Sequence, residues 1–415
     1  MNSPSDKEKV LFQLSLYSNL VSGQRGGNLE EKLYEAIQAK LKDNQEYIGR
    51  WEVVWGPAVK QSQNDGYAVN AMYVAHSLDT PSCYVVLIAG TNSPSLFDWL
   101  FEDLLVKHQV PWVFGAAPNA KISLGTAIGL GIILALKPSD NRPNAGKNLI
   151  KFLKDLPKTD IDLTVTGHSL GGALSPTLAL LLKNIQLNWD SERKVKISSM
   201  PTAGPTAGNS AFSQYSDQIL EEVTRYWNKL DIVPHAWNET TLEQIKRIYL
   251  PAIPEDIVTD RFVNCAEQVA LSGDYLQIKP CAPPFEGEIN KEIIDPNSPA
   301  FINFFKQVRY QHIEAYEKYF AIPGIATNCL AELYRDPKTI FTPALQRFAK
   351  RAGLSLPPEL TKDIFTNKST SIPIAGQLIE LPTEPNDPRM PEIVELVTAE
   401  LKKLLSSDYS LSNNS

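Results

Sequence analysis

Four cysteines in 415 residues, Cys83, Cys265, Cys281 and Cys329, are too few to staple a chain of this length. They point to free thiols in a reducing compartment, with a Cys265 to Cys281 bridge as the open alternative. Basic charge is also short: 40 Lys and Arg against 47 Asp and Glu leave a net charge of −7. That balance supplies no general field for nucleic acid or anionic head groups, so any lipid-interface contact has to be apolar, local and transient. Metal-binding spacings such as HExxH, paired cysteines or an EF-hand loop are missing, and the chemistry proposed below asks for no cofactor. A secretory signal is not read at the start either. The stretch MNSPSDKEKVLFQLSLYSNLV has no basic leader, and Gln13, Ser15 and Ser18 interrupt its apolar run. This favours the cytoplasm and leaves export by another route open. One uncharged run, ISLGTAIGLGIILAL, is 15 residues long, short of the roughly 20 that span a bilayer. It is expected to form a buried core helix, with no transmembrane segment.

The composition, 43% hydrophobic and 21% charged, is that of an ordinary globular protein with one large domain. Val10, Leu14, Tyr17 and Val21 recur at helical spacing, as do Leu29, Leu33, Ile37 and Leu41. Asn28 and Glu31 suggest a capping box for the second of these helices. Strands are predicted at WEVVWGPAV, YAVNAMYVAHS, CYVVLIAG, DLTVTG, KVKISSM and TRYWNK. From the third onward they alternate with helices, which argues an α/β fold with a mainly parallel sheet covered on both faces. A loop-like stretch follows at about 276–300 and a helix at about 301–320. Proline is then frequent from 354 to 391, ahead of an amphipathic helix with Ile393, Leu396, Val397, Leu401 and Leu404. Residues 1–322 are accordingly read as the main domain and 323–415 as an extension packed on it, ending in a frayed tail at 407–415.

Residues 166–172 read TGHSLGG. A GxSxG pattern means little alone, but here a β-rich run ends at it and the apolar, helix-forming stretch Ala173 to Leu182 follows. Ser169 therefore falls on a sharp strand-to-helix turn. Such a turn strains the serine backbone, needs glycine on either side, and aims a helix start and the Leu170 amide at the reacting centre. A nucleophilic serine needs a base, and this kind of site supplies its partners in the order Ser, acid, His. Of five histidines, His76 and His108 precede the serine and His168 sits in the turn, leaving His312 as the preferred base and His235 as the alternative. His312 is read at the start of a helix, in RYQHIEAYEKYF. For the acid, Asp231 follows TRYWNK at its carboxyl end, where groups in open α/β sheets gather. Asp217, Asp256 and Asp260 qualify by order only.

TGHSLGGAL, IAGTNS, PTAGN and DIVP together resemble the class 3 lipase family of α/β hydrolases, over roughly residues 50–320. The resemblance implies that Thr91, following Ile88-Ala89-Gly90, shares the oxyanion role with Leu170. It also implies that SPSLFDWLFEDLLV is a lid, with Phe97, Trp99, Leu100 and Phe101 over the acyl pocket and Trp112 and Phe114 extending its rim. Permanent burial of those side chains is the competing reading. The sequence departs from the family at Ala89, where an arginine is usual, around Gly125, and at Pro176, which is expected to kink the helix after the serine. The implied activity is a serine carboxylester hydrolase on a lipid ester, an acylglycerol or a phospholipid, working through an acyl-enzyme. Two alternatives stay open: a small-ester esterase, thioesterase or acyltransferase on the same triad, and a non-catalytic scaffold that keeps the fold. The oligomeric state is not legible.

Overall fold

Six segments rich in β-branched and aromatic residues form one sheet: β1 (Trp51–Gln61), β2 (Ala68–Ser77), β3 (Cys83–Ile88), β4 (Ile161–His168), β5 (Val195–Thr202) and β6 (Glu222–Val223). They lie side by side in that order, antiparallel from β1 to β3 and parallel from β3 to β6. This computed structural model describes residues 3–61, 66, 68–90, 103–157, 159–271, 273–322, 371–374, 377–380, 382 and 387–406.

Side chains alternate between two apolar cores, one on each face of the sheet. Tyr73, Ala75, Val85 and Leu87 enter one, whereas Met72, Val74, Val86 and Ile88 enter the other. The first core is covered by α1 (Asp6–Tyr17) and α2 (Leu29–Asp43), the second by α3 (Leu124–Ala135) and α4 (Leu170–Asn184). Further along, α5 (Ile257–Ala270), α6 (Ala300–His312) and α7 (Glu314–Tyr319) return to the first core. The last helix, α8 (Met390–Ser406), buries Ile393, Val397 and Leu401 in the second. The stripe Leu29, Leu33 and Ile37 of α2 is fully buried, each side chain contributing about 1.5–3 kcal/mol. The uncharged run is α3, a core helix packed through Gly129 against Leu174 of α4. No helix among the described residues is long and apolar enough to cross a membrane. These features give the chain the α/β-hydrolase fold.

Several local expectations need correction. Asn28 does not cap α2 with its side chain: it is left-handed at φ 64°, and the Glu31 carboxylate turns away to pair with Arg142. The capping box is one helix earlier, where Ser5 and Glu8 hold each other's backbone amides. TRYWNK is not a regular strand. Only Glu222–Val223 pairs as one, and the chain then follows β5 through single bonds, Thr224 N–H to the Ser199 carbonyl and Tyr226 N–H to that of Pro201, each 3.0 Å. The helix expected over 301–320 is broken at Ile313 (φ −124°, ψ −76°), so His312 ends one helix instead of starting another. The helix α4 continues through Pro176 as one element. Cys83 and Cys281 are free thiols, and the Cys265 to Cys281 bridge does not form.

Candidate active site

Ser169 sits between the end of β4 and the start of α4 with φ 60° and ψ −124°, a strained conformation for a residue with a side chain. The packing that enforces it is visible at Gly171, where an added Cβ would stand 2.3 Å from the Ile88 carbonyl oxygen. Gly167 is equally tight: its Cβ would lie 2.6 Å from the Gly171 backbone. The turn is further pinned by the Ser169 N–H, which donates to the Thr202 carbonyl at 3.0 Å. Leu170 is the first residue of α4, and amides at that position have no partner within the helix. Both the amide and the helix dipole are available to a developing negative charge.

Asp231 and His312 meet deep in the protein although 81 positions separate them. His312 Nδ1 donates to Asp231 Oδ2 at 2.8 Å, and both side chains are almost wholly buried. That bond places the Nδ1 proton on the aspartate side and leaves the Nε2 lone pair free to act as a base. Asp231 is held by two more donors: the Tyr316 hydroxyl reaches Oδ2 at 3.0 Å and the Val233 N–H reaches Oδ1 at 3.0 Å. The Tyr316 hydroxyl accepts from the Asn228 N–H at 2.9 Å, so its own proton is committed to Asp231. Burial, reinforced by the Asp231 charge, raises the Tyr316 pKa well above that of an ordinary phenol and keeps it a donor. Asn228 in turn binds the Gln311 carbonyl next to the base.

The other half of the site borders this pair. The ring of His168, the residue before Ser169, lies 4.9 Å from the His312 ring, centroid to centroid. Among the described residues, neither Ser169 Oγ nor His312 Nε2 has a hydrogen-bond partner, and both atoms are buried. Two buried polar atoms left open in one site are unusual, because an unsatisfied group of this kind costs about 1–3 kcal/mol.

The remaining candidates are placed as follows. His235 is buried in a small cluster, its Nε2 donating to the Lys229 carbonyl at 3.0 Å and its ring edge-on to Trp227; it makes no hydrogen bond to Asp231. Burial holds its pKa below the usual imidazole value. Asp256 caps the start of α5, and Asp217 accepts from the Lys279 amide. Thr91, Phe97, Trp99, Leu100 and Phe101 lie outside the described residues. Trp112 and Phe114 do not form an open rim. Both are buried, packed edge-on to each other, and the Trp112 indole donates to Asn184 at the end of α4. No group of three His, Cys, Asp or Glu side chains among the described residues could hold a metal ion.

Sequence reasoning missed Tyr316, Asn228 and Asn19. Tyr316 follows His312 by four positions, and that spacing was its one available signal. Asn19, just beyond α1, accepts the Gly90 N–H at 2.9 Å and so fixes the peptide that leads into Thr91. From the same helix Phe12 stacks on Phe320 at 4.2 Å and packs edge-on to His168.

Comparison with known proteins agrees with this geometry. The family model for Lipase (class 3) matches residues 85–241. Phospholipase A1-Igamma2, chloroplastic, of Arabidopsis thaliana is 35% identical over 89 residues, 21% of this chain and 17% of that protein. Phospholipase A1-Igamma3, chloroplastic, of the same plant is 29% identical over 167 residues, 36% of this chain and 30% of the relative. The chain thus spans less than a third of either curated relative. The crystal structure of M37 lipase is similar over far more: 32% identity, 80% of this chain, 99% of that one, and a TM-score of 0.70. With 32% identity over 99% of that lipase, and the family's serine turn built as described, this chain belongs to the class 3 lipase family.

Proposed function

We propose that the protein is a serine carboxylester hydrolase that cleaves a lipid ester through an acyl-enzyme. One observation carries the reading above the rest: a buried His312–Asp231 pair that lies beside the serine turn, with His312 Nε2 and the Ser169 hydroxyl both buried and without a partner among the described residues. In this reading Ser169 Oγ attacks the ester carbonyl while His312 Nε2 takes its proton. Asp231 holds the tautomer and stabilises the imidazolium. The Leu170 amide, with Thr91, receives the negative charge on the carbonyl oxygen. His312 then returns the proton to the leaving alcohol, and water activated by the same nitrogen releases the acid.

The acyl donor is proposed to be an acylglycerol or a phospholipid. Support for it comes from relatives named as phospholipases A1 and from a structural relative named as a lipase. Labelling of the native chain with a fluorophosphonate, which phosphonylates an activated serine, tests the reaction class. The expected result is stoichiometric labelling that Ser169→Ala abolishes; equal labelling of the alanine variant refutes it. Release of fatty acid from triacylglycerol emulsions compared with phosphatidylcholine vesicles assigns the head group, and a chain-length series of chromogenic esters separates a lipase from a small-ester esterase.

A further inference from the structure

We infer that His168 is a positioning residue: its Nε2–H holds the main-chain carbonyl of His312 and so sets where the His312 imidazole stands relative to Ser169. The inference rests on the hydrolase reading above and adds to it a part that the triad alone does not contain.

It begins with a helix end. The His312 carbonyl closes α6, and the break at Ile313 removes its ordinary partner, since the Tyr316 N–H turns to the Ile313 carbonyl at 3.1 Å instead. Carbonyls at helix ends need a donor from elsewhere. Here the donor is His168 Nε2, 2.8 Å away. Because a carbonyl only accepts, Nε2 must carry the proton. Burial, helped by the neighbouring His312, pushes the His168 pKa well below the usual imidazole value, so the ring is neutral and Nδ1 is a bare acceptor. Thr202 Oγ1 stands 3.1 Å from that nitrogen and 3.2 Å from the Gly167 carbonyl, so its one hydroxyl proton is shared between these two acceptors.

Thr202 also accepts the Ser169 N–H through its own carbonyl, and it pairs with His168 across β4 and β5. One imidazole ring is therefore tied at one nitrogen to Thr202 of β5, whose carbonyl accepts the Ser169 N–H, and at the other to the backbone that carries the base. Phe12 and Tyr316 pack edge-on to the ring, at 5.8 and 5.1 Å, and leave it little room to tilt. The two elements so joined are 144 positions apart in sequence. Nothing else described in the site connects the serine turn to the His312 main chain by a single side chain. A displacement of about 1 Å between reacting groups costs on the order of 100-fold in rate, so a tether at this point acts on rate more than on binding.

The test uses the full chain and three variants. His168→Leu keeps an apolar body and removes both nitrogens; it is expected to lower kcat on a soluble ester and the fluorophosphonate labelling rate by about 100-fold with KM unchanged. His168→Gln, whose amide N–H can reach the same carbonyl, is expected to recover about tenfold of that loss. In both, the downfield proton resonance of His312 Nδ1–H bonded to Asp231 should persist, which separates misplacement of the base from loss of the pair. A residue needed only for folding would lower the melting temperature and show no recovery of kcat in the glutamine variant at temperatures where both are folded. A folded His168→Leu that labels within about threefold of the native rate overturns the inference. Should the leucine variant not fold, Thr202→Val decides: a fall of about tenfold supports the tether and a rate within about threefold overturns it. Native protein that does not label at all refutes the hydrolase reading itself, and the tether's role with it.

Discussion

Replacing Asp231 by asparagine is the sharpest perturbation the site allows, because the carboxylate accepts from three donors and offers none. Oδ1 takes the Val233 N–H, and Oδ2 takes both the His312 Nδ1–H and the Tyr316 hydroxyl. An amide must turn its NH2 toward one of these sets. Facing Val233, it sets two N–H groups against each other in the interior. Facing His312, it leaves only the Tyr316 proton without an acceptor, at about 1–3 kcal/mol. The second orientation is the less costly, and it forces Nδ1 to become the acceptor. The His312 proton then moves to Nε2, and the base toward Ser169 is lost. The expected fall in kcat is about 10⁴-fold, equivalent to roughly 5 kcal/mol of barrier. Steady-state turnover of a soluble chromogenic ester measures it, beside urea unfolding of Asp231→Asn, Tyr316→Phe and the double variant. Both Tyr316 variants lose the acceptor for the Asn228 N–H, so the cycle isolates the bond to the carboxylate. Its coupling should be about 1.5–3 kcal/mol. Asp231→Asn retaining more than about a tenth of kcat would refute the tautomer argument, and a coupling near zero would refute the role given to Tyr316.

Ser169→Ala should abolish labelling without lowering stability, since the hydroxyl removed is buried and has no partner among the described residues; a lower urea midpoint contradicts this. Gly171→Ala should cost about 4 kcal/mol or more, or prevent folding, because its Cβ would meet the Ile88 carbonyl at 2.3 Å; a circular dichroism melt close to native refutes it. Leu401→Ala on α8 should cost about 2–5 kcal/mol, as a buried leucine in the core that also holds α3 and α4; a loss below about 1 kcal/mol would mean that α8 lies loosely on the domain. Stability should fall as pH drops below about 6.5, the ordinary imidazole value. His168 and His235 are both held below it by burial, so the unfolded chain binds protons that the folded chain does not. Each group contributes up to about 1.4 kcal/mol per pH unit until its own folded pKa is passed. Urea midpoints of the native chain and of His168→Gln between pH 7.5 and about 5.5 check the sign, and a midpoint that rises on acidification refutes it.

What the sequence made legible was local. The nearly continuous apolar run CYVVLI and the apolar run of α3 are set by neighbours in the chain, so both were readable as a buried strand and a core helix. The serine turn was readable for the same reason: strand, glycines and helix are contiguous. The choice between His235 and His312 was not, because each follows Asp231 and the pairing depends on which imidazole the fold carries to the carboxylate. The break at Ile313 was hidden by a helical pattern that continues through it, Val308, Ile313, Tyr316 and Phe320 all being buried. Glu31 was a good capping residue by spacing, and Arg142, a partner 111 positions away, outcompeted the cap. Asn19 and Asn228 carried no local sign of function, since the groups they serve, the Gly90 N–H and the Gln311 carbonyl, are far from them in sequence.

The first helix of the domain also sets a timetable. Phe12 of α1 rests on Phe320, and Asn19 beyond it holds Gly90. At synthesis rates of about 5–20 residues per second, roughly 15 to 60 s separate the emergence of the first partner from that of the last. Through that interval the nascent chain carries an apolar helix whose final neighbours do not yet exist, and His168 has no His312 carbonyl to hold. On the proposed hydrolase reading, the site is therefore complete only after residue 320 has emerged. A chain stopped short of residue 320 would carry the sequence of the serine turn, and with it a lipase signature, while lacking the Phe320 ring on which α1 rests.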